Sequence, residues 1–366
     1  MACNFLDLHY RSMPRTMLRC AIEQLAKDRR QAYLKGTHVP ALHREAAWQA
    51  YRAVMEADRR LRNYDLTTPI LQSPVLGQET GGKVFLKLEH LQQTGSFKFR
   101  GALSRMTTLE SSRVPITAAS TGNHGLAMAR ALAKTGHTGT IFLPETSDGQ
   151  KVDALRATGV PLMIAGQDGV EAEQAARAAA AVQLGVFVSP YNDWDVLGGQ
   201  GTIGLEMLSQ LRRITHVFAS VGGGGLIAGV AAAMKAHSPY VQVVGCSPEA
   251  SAVMHESRRA GSIVQLPVKP TLSDGTAGGI EPGSITLPLC RQLVDTWITV
   301  TEDEIASAMQ RLYELHDFMV EGAAHVAVAG MLKMRAELVE AHCAVILCGG
   351  NIAPRNFNSV ITPPGQ

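Results

Sequence analysis

The segment Gly95-Ser96-Phe97-Lys98-Phe99-Arg100-Gly101 sets one lysine in a short turn of polar and aromatic residues. A lysine held at such a junction can lose part of its hydration, which lowers its pKa and frees the neutral amine as a nucleophile or base. Taken alone, a lysine is more often a solvated surface charge, so the argument rests on three further turns. Gly222-Gly223-Gly224-Gly225 follows the apolar run His216–Val221 and opens a helix. Four successive glycines are entropically costly. Their use at a helix N-terminus is close approach of backbone N–H groups to an anion such as a phosphate, with a ligand-free tight turn as the alternative. Ser120-Thr121-Gly122-Asn123-His124 is dense in hydroxyl and amide donors. Such a loop can cradle a carboxylate, and Asn123 can donate to a phenolate-type oxygen; a plain helix cap by Ser120 or Thr121 is the competing reading. Cys348-Gly349-Gly350-Asn351 closes the run Ala344–Leu347. It puts a small polar atom at a strand end, where a buried structural thiol is the other account.

The elements that must position these turns alternate regularly. A strand over Lys83–Leu88 precedes Lys98, and a helix can start at Ala102. Strands are expected at Ile116–Ala119, Thr138–Leu143, Pro161–Ile164, Val186–Val188 and His216–Val221. Helices are expected from the Ser120 loop to Lys134, over Gln150–Thr158, Val170–Leu184 and Thr202–Arg212, and over Leu226–Ala236. Apolar strands alternating with helices indicate parallel sheet covered on both faces. Two such units meeting where strands end make a ligand cleft. The expected fold is therefore α/β, with two doubly wound parallel-sheet domains and extra N-terminal helices. One helix is read over residues 14–35 and another after Pro40, as packing or dimer-contact elements. The division expected is an N-terminal helical extension over 1–38, a large domain from 39–114 and 193–366, and a small domain over 115–192.

The 366 residues suffice for about two domains. A net charge of +2 and 5% aromatic residues argue against a nucleic-acid binder, which needs concentrated basic surface or stacking platforms. Six scattered cysteines without paired spacing read as reduced thiols of the cytosol. No run approaches a membrane span. Arg11, Arg15 and Arg19 give the start a transit-peptide flavour, which the acids of the following helix oppose.

Together the four turns, in this order over about Leu66 to Asn351, resemble those of the fold type II pyridoxal-phosphate enzymes, the threonine/serine dehydratase and serine racemase group. The resemblance implies the fold of the tryptophan synthase beta subunit. It makes Lys98 the residue that carries the cofactor and takes the Cα proton, and Gly222, Gly223, Gly224 and Gly225 the phosphate cup. Ser120, Thr121, Gly122, Asn123 and His124 become the substrate-carboxylate loop, Cys348 the partner of the pyridine nitrogen, and Phe97 and Asn123 contacts to the ring and its phenolic oxygen. The implied activity is elimination of water from a small β-hydroxy amino acid such as L-threonine or L-serine, giving a 2-oxo acid and ammonia, by a cytoplasmic homodimer. The Ser-Thr-Gly-Asn-His form is similar to dehydratases of the hydroxyectoine-utilisation type.

Departures from the group's pattern sharpen these expectations. Thr121 stands where the racemase has a serine on the ring face opposite the lysine; it keeps a hydroxyl, so racemisation or epimerisation stays open, as does β-replacement. Ser247 and Val253 occupy positions where the group's metal site has carboxylates, so no metal is expected. The chain stops soon after Asn351, leaving no expected C-terminal regulatory domain. Outside this resemblance, Gly223, Gly225 and Ala228 imitate a dinucleotide fingerprint with Glu249 as the ribose acid. That would make the protein an NAD-dependent oxidoreductase, and a non-catalytic binding protein is the remaining class. Residues around Tyr191 and over Thr271–Pro282 are expected to shape the substrate side-chain pocket.

Overall fold

The structure, a computed structural model, describes residues 41–110, 113–267 and 269–362. The helix read over 14–35 and the extension over 1–38 lie outside these residues. The first described helix, α1 (Ala41–Leu61), buries Ala50, Val54, Ala57 and Leu61 at alternating spacings of four and three, one continuous face.

Two sheets follow. The larger is built from β1 (Ile70–Ser73), β2 (Lys83–Lys87), β7 (His216–Ser220), β8 (Gln242–Pro248), β9 (Thr296–Val300) and β10 (His342–Ile346), in the order β1-β2-β10-β7-β8-β9. Only the β1–β2 pair is antiparallel. The smaller has β3 (Ile116–Ala119), β4 (Gly139–Leu143), β5 (Leu162–Ile164) and β6 (Val186–Phe187), all parallel, in the order β5-β4-β3-β6. The inner strands β3, β7, β8 and β10 are buried nearly throughout because helices cover each face, as continuous Val, Ile and Ala runs require, whereas the edge strand β5 exposes Met163 and Ile164.

Helix α3 (Lys98–Met106) joins the two halves. Phe97, just before it, belongs to the core around the larger sheet. Phe99, Ala102, Leu103 and Met106, along the helix, belong to the core around the smaller one. Lys98 therefore stands where the chain passes from one core to the other.

Helix α7 (Trp194–Gln210) starts eight residues earlier than the sequence pattern indicates. Asp193 caps it, accepting from the N–H groups of Asp195 and Val196 at 2.8 and 3.0 Å. Gly198, Gly199 and Gly201 lower helix propensity, yet here they permit close packing. A Cβ at Gly199 would run into the Arg100 carbonyl, and one at Gly198 into the Ala53 carbonyl. The entropic penalty of about 1 kcal/mol per glycine is offset by bringing α7 against both α1 and α3. The other predicted strands and helices named above are present within a few residues of their expected ends.

Candidate active site

The carboxyl ends of β7 and β10 and the start of α3 converge on one cleft. It encloses about 470 Å³, open solvent at its mouth included. Phe97, Lys98, Asn123, Gly222, Gly223, Gly224, Gly225 and Cys348 line it together with Tyr191, Thr276 and Glu321. β10 and β7 are parallel neighbours in the larger sheet, and the space beyond the carboxyl ends of such strands is where ligands of open α/β sheets bind.

Lys98 Nζ donates to the Pro190 carbonyl at 3.0 Å and lies 5.1 Å from the Phe97 ring centroid. Burial lowers its pKa to about 8, against opposing pulls from Cys348 and Glu321. The position is fixed from behind: Phe97 N–H donates to the Cys348 carbonyl at 3.0 Å, and Ser96 pairs with Gly349.

Helix α8 (Gly225–His237) begins at the fourth glycine, with Gly224 in the left-handed region at φ +87°. Its first N–H groups have no partner within the helix. Side chains would block them. A Cβ at Gly223 would fall inside the Tyr191 ring, and at Gly225 it would meet Gln200 Oε1 at 2.7 Å. The cup is thus a concave set of amide donors kept open by the lack of Cβ atoms.

Cys348 sits 3% exposed at the end of β10, and burial raises its thiol pKa well above the usual value, so the group stays neutral. Of the predicted carboxylate loop, only Asn123 reaches the cleft wall, at the start of α4 (Asn123–Thr135). Ser120, Thr121 and Gly122 are half-buried in the turn before it; Ser120 Oγ accepts from Gly122 N–H at 3.2 Å. A Cβ on Gly122 would meet nothing within 4 Å, so this turn faces open space. His124 departs from expectation. Its ring is 3% exposed and directed into the small-sheet core, with Nε2 against the Val188 carbonyl at 3.0 Å, and burial lowers its pKa to about 3. Only its backbone can serve the loop.

Sequence reasoning missed Glu321. It directly precedes α12 (Gly322–Lys333) without capping it, is 5% exposed, and accepts from Asn123 Nδ2 at 2.8 and 2.9 Å. Burial raises its pKa to about 7, partly countered by the hydrogen bond from Asn123. The available signal was a lone acid directly before ten residues of buried helix, Gly322–Met331. Tyr191, named only as a pocket residue, leans on the cup; its Oη accepts the Glu281 N–H at 3.0 Å. Burial first, with the nearby acids, raises its pKa to about 12, so it stays a neutral phenol.

Ser247, one of the two positions where metal-binding carboxylates are expected in the group, is fully buried and donates to the Val221 carbonyl at 3.2 Å, while Val253, the other, is buried in the core. Among the described residues no cluster of three or more His, Cys, Asp or Glu could hold a metal, and no helix is long and apolar enough to cross a membrane.

The family model for pyridoxal-phosphate dependent enzymes matches residues 61–349. An L-threonine ammonia-lyase of Geobacter sulfurreducens is 38% identical over 313 residues, covering 85% of this chain and 78% of the relative. An L-threo-3-hydroxyaspartate ammonia-lyase of Saccharomyces cerevisiae is 33% identical over 314 residues, covering 85% and 96%. The solved maize serine racemase superposes with a TM-score of 0.78 at 29% identity, covering 84% of this chain and 95% of that one.

Proposed function

The chain belongs to the pyridoxal-phosphate dependent enzymes, and from that membership we propose that its cleft removes water and then ammonia from L-threonine, and from L-serine less readily, leaving the 2-oxo acid. The observation that carries this reading is Lys98, with a pKa near 8, in the same cleft as the glycine cup. The residues present fit the cofactor: an open arc of amide donors for a phosphate, an amine that can be neutral near pH 8, and a buried neutral thiol.

Bound pyridoxal phosphate supplies the electron sink for the pair left at Cα when its proton departs. The protein's own share is positional and acid–base. Lys98 would hold the cofactor and, as a neutral amine, would take the proton from the substrate Cα, a role worth about 10²–10⁴-fold. The cup amides of Gly222 to Gly225 hold the phosphate end. Cys348, as a buried neutral thiol, would give the cofactor's nitrogen no charged partner, which would favour prompt loss of the β-hydroxyl. The turn Ser120-Thr121-Gly122 offers donors to the substrate carboxylate. Among the described residues of the cleft wall Lys98 is the one cation; a second, β-carboxylate would find no further charge partner among them, which favours threonine over 3-hydroxyaspartate.

The purified protein loaded with pyridoxal phosphate should release ammonia and 2-oxobutanoate from L-threonine, faster than ammonia from L-serine or L-threo-3-hydroxyaspartate. No keto acid from any of the three would overturn the assignment. Racemisation is the second reading, supported by the Thr121 hydroxyl and the likeness to the maize enzyme. D-serine or D-allo-threonine recovered from the same incubations would establish it. A homodimer in the cytoplasm belongs to the proposal too; free, buried Cys246, Cys290, Cys343 and Cys348 suit a reducing compartment.

The cup makes its own prediction. Gly223→Ala forces the Tyr191 ring aside, and overpacking of this kind costs about 1–3 kcal/mol. Cofactor affinity, measured by equilibrium dialysis, should fall about 10- to 100-fold. Unchanged affinity would remove the cup from the cofactor site.

A further inference from the structure

Asn123 does not stand in the cleft unsupported. Its carboxamide is the middle link of a hydrogen-bonded chain that the catalytic reading leaves unexplained. Asn351 Nδ2 donates to the Thr94 carbonyl at 2.8 Å and to Asn123 Oδ1 at 2.6 Å. Asn123 Nδ2 in turn donates to both oxygens of Glu321. The direction of the chain is forced. A backbone carbonyl can only accept, so Asn351 must turn its amide nitrogen to Thr94, and Asn123 must then answer with its oxygen. The nitrogen of Asn123 is left to face the carboxyl of Glu321. The two Glu321 oxygens subtend too small an angle at Nδ2 to take one hydrogen each, so the second amide hydrogen remains for the cleft.

Two glycines are cut to this chain. A Cβ on Gly95, at φ +72°, would fall on the Asn351 carboxamide, and a Cβ on Gly349 would fall on Glu321 Oε1. The Cys348-Gly349-Gly350-Asn351 turn therefore does more than end a strand. The chain also crosses between sheets: Asn123 starts a helix beside the smaller sheet, whereas Glu321 and Asn351 come from connections of the larger one.

We propose that Asn351 and Glu321 are positioning residues that fix the carboxamide of Asn123, and with it the amide hydrogen Asn123 presents toward the cofactor ring. This rests on the reading of the cleft as a pyridoxal-phosphate site. Four variants loaded with cofactor test it: Asn351→Asp, Asn351→Ala, Glu321→Gln and Glu321→Ala. Asn351→Asp is isosteric but acceptor-only, so it faces two acceptors, Thr94 O and Asn123 Oδ1. It should lower kcat about tenfold, further than Asn351→Ala, because opposed acceptors cost more than a missing partner. Glu321→Gln keeps an oxygen for Asn123 Nδ2 and should lose several-fold less than Glu321→Ala. KM should change little, and the Lys98-dependent absorbance band should shift in the two damaging variants, Asn351→Asp and Glu321→Ala. Equal losses within each pair, or an unmoved band, overturn the relay. A purely structural role would lower the melting temperature of the cofactor-free protein in step with kcat, and that result also overturns it. A wild-type protein with no band dependent on Lys98 fails in a different way, because it removes the cofactor reading itself.

Discussion

Lys98→Ala should reduce ammonia release from L-threonine by at least about 10³-fold, because one residue both holds the cofactor and moves the proton. The near-visible absorbance of the loaded protein, and its bleaching by borohydride, should vanish with it. Lys98→Arg is the sharper control. It keeps the positive charge and much of the length, but a guanidinium stays protonated and cannot act as a neutral amine. It should therefore be as inactive as Lys98→Ala, and substantial activity in Lys98→Arg would end the proposal. The cofactor-free protein allows an independent check. Burial lowers the pKa of Lys98 to about 8 from the 10.5 of a free lysine. A lowered pKa means the neutral amine appears at lower pH, so reductive methylation mapped by mass spectrometry should modify Lys98 with a midpoint near pH 8. A midpoint near 10.5 would mean that the ammonium is solvated.

The parts of this site that could be read in the sequence are those whose chemistry is local. Gly222 to Gly225 announce a backbone approach because no other residue type tolerates it, and Cys348-Gly349-Gly350 announces a sharp strand end. Alternation of apolar strands with helices likewise depends on neighbours along the chain, and it located β3, β4, β7 and α8 within one or two residues. What escaped depends on partners far away. Glu321 meets Asn123 across 198 positions, and its meaning exists only in that contact. His124 looked like a loop donor because its neighbours are donors, but helix α4 turns its ring into a core the local sequence does not describe. The early start of α7 was hidden for a related reason. Gly198 and Gly199 lower helix propensity locally, and only the carbonyls of Ala53 and Arg100 pressed against them explain their presence.

Arg100→Met should destabilise the protein by about 3–5 kcal/mol, the range expected when one partner leaves a buried ion cluster. Arg100 is fully buried two residues beyond Lys98. Its Nε and Nη2 each donate to Glu89 at 2.8 Å, and its Nη1 donates to Glu206 at 2.6 Å and to Thr202 at 3.2 Å. Nη2 also reaches the Leu66 carbonyl at 2.8 Å. Lys87, equally buried, bonds Glu206 at 2.6 Å. Two cations thus balance two carboxylates. Burial alone would raise the pKa of Glu206, but attraction and hydrogen bonds from Arg100, then Lys87, hold it below the usual carboxylate range. Methionine fills much of the volume yet removes the cation bonded to the buried Glu89. The loss should therefore come from stranded charge more than from a cavity, and this distinction can be measured. Adding Glu89→Gln to Arg100→Met removes the stranded charge and should recover part of the deficit in urea denaturation, a coupling a cavity would not produce. The same cluster ties the first turn of α3 to α7. In the Arg100→Met protein the Lys98 amine should lose its fixed approach to the Pro190 carbonyl, and methylation of the cofactor-free form should show its midpoint moving up from about 8 toward the ordinary lysine value.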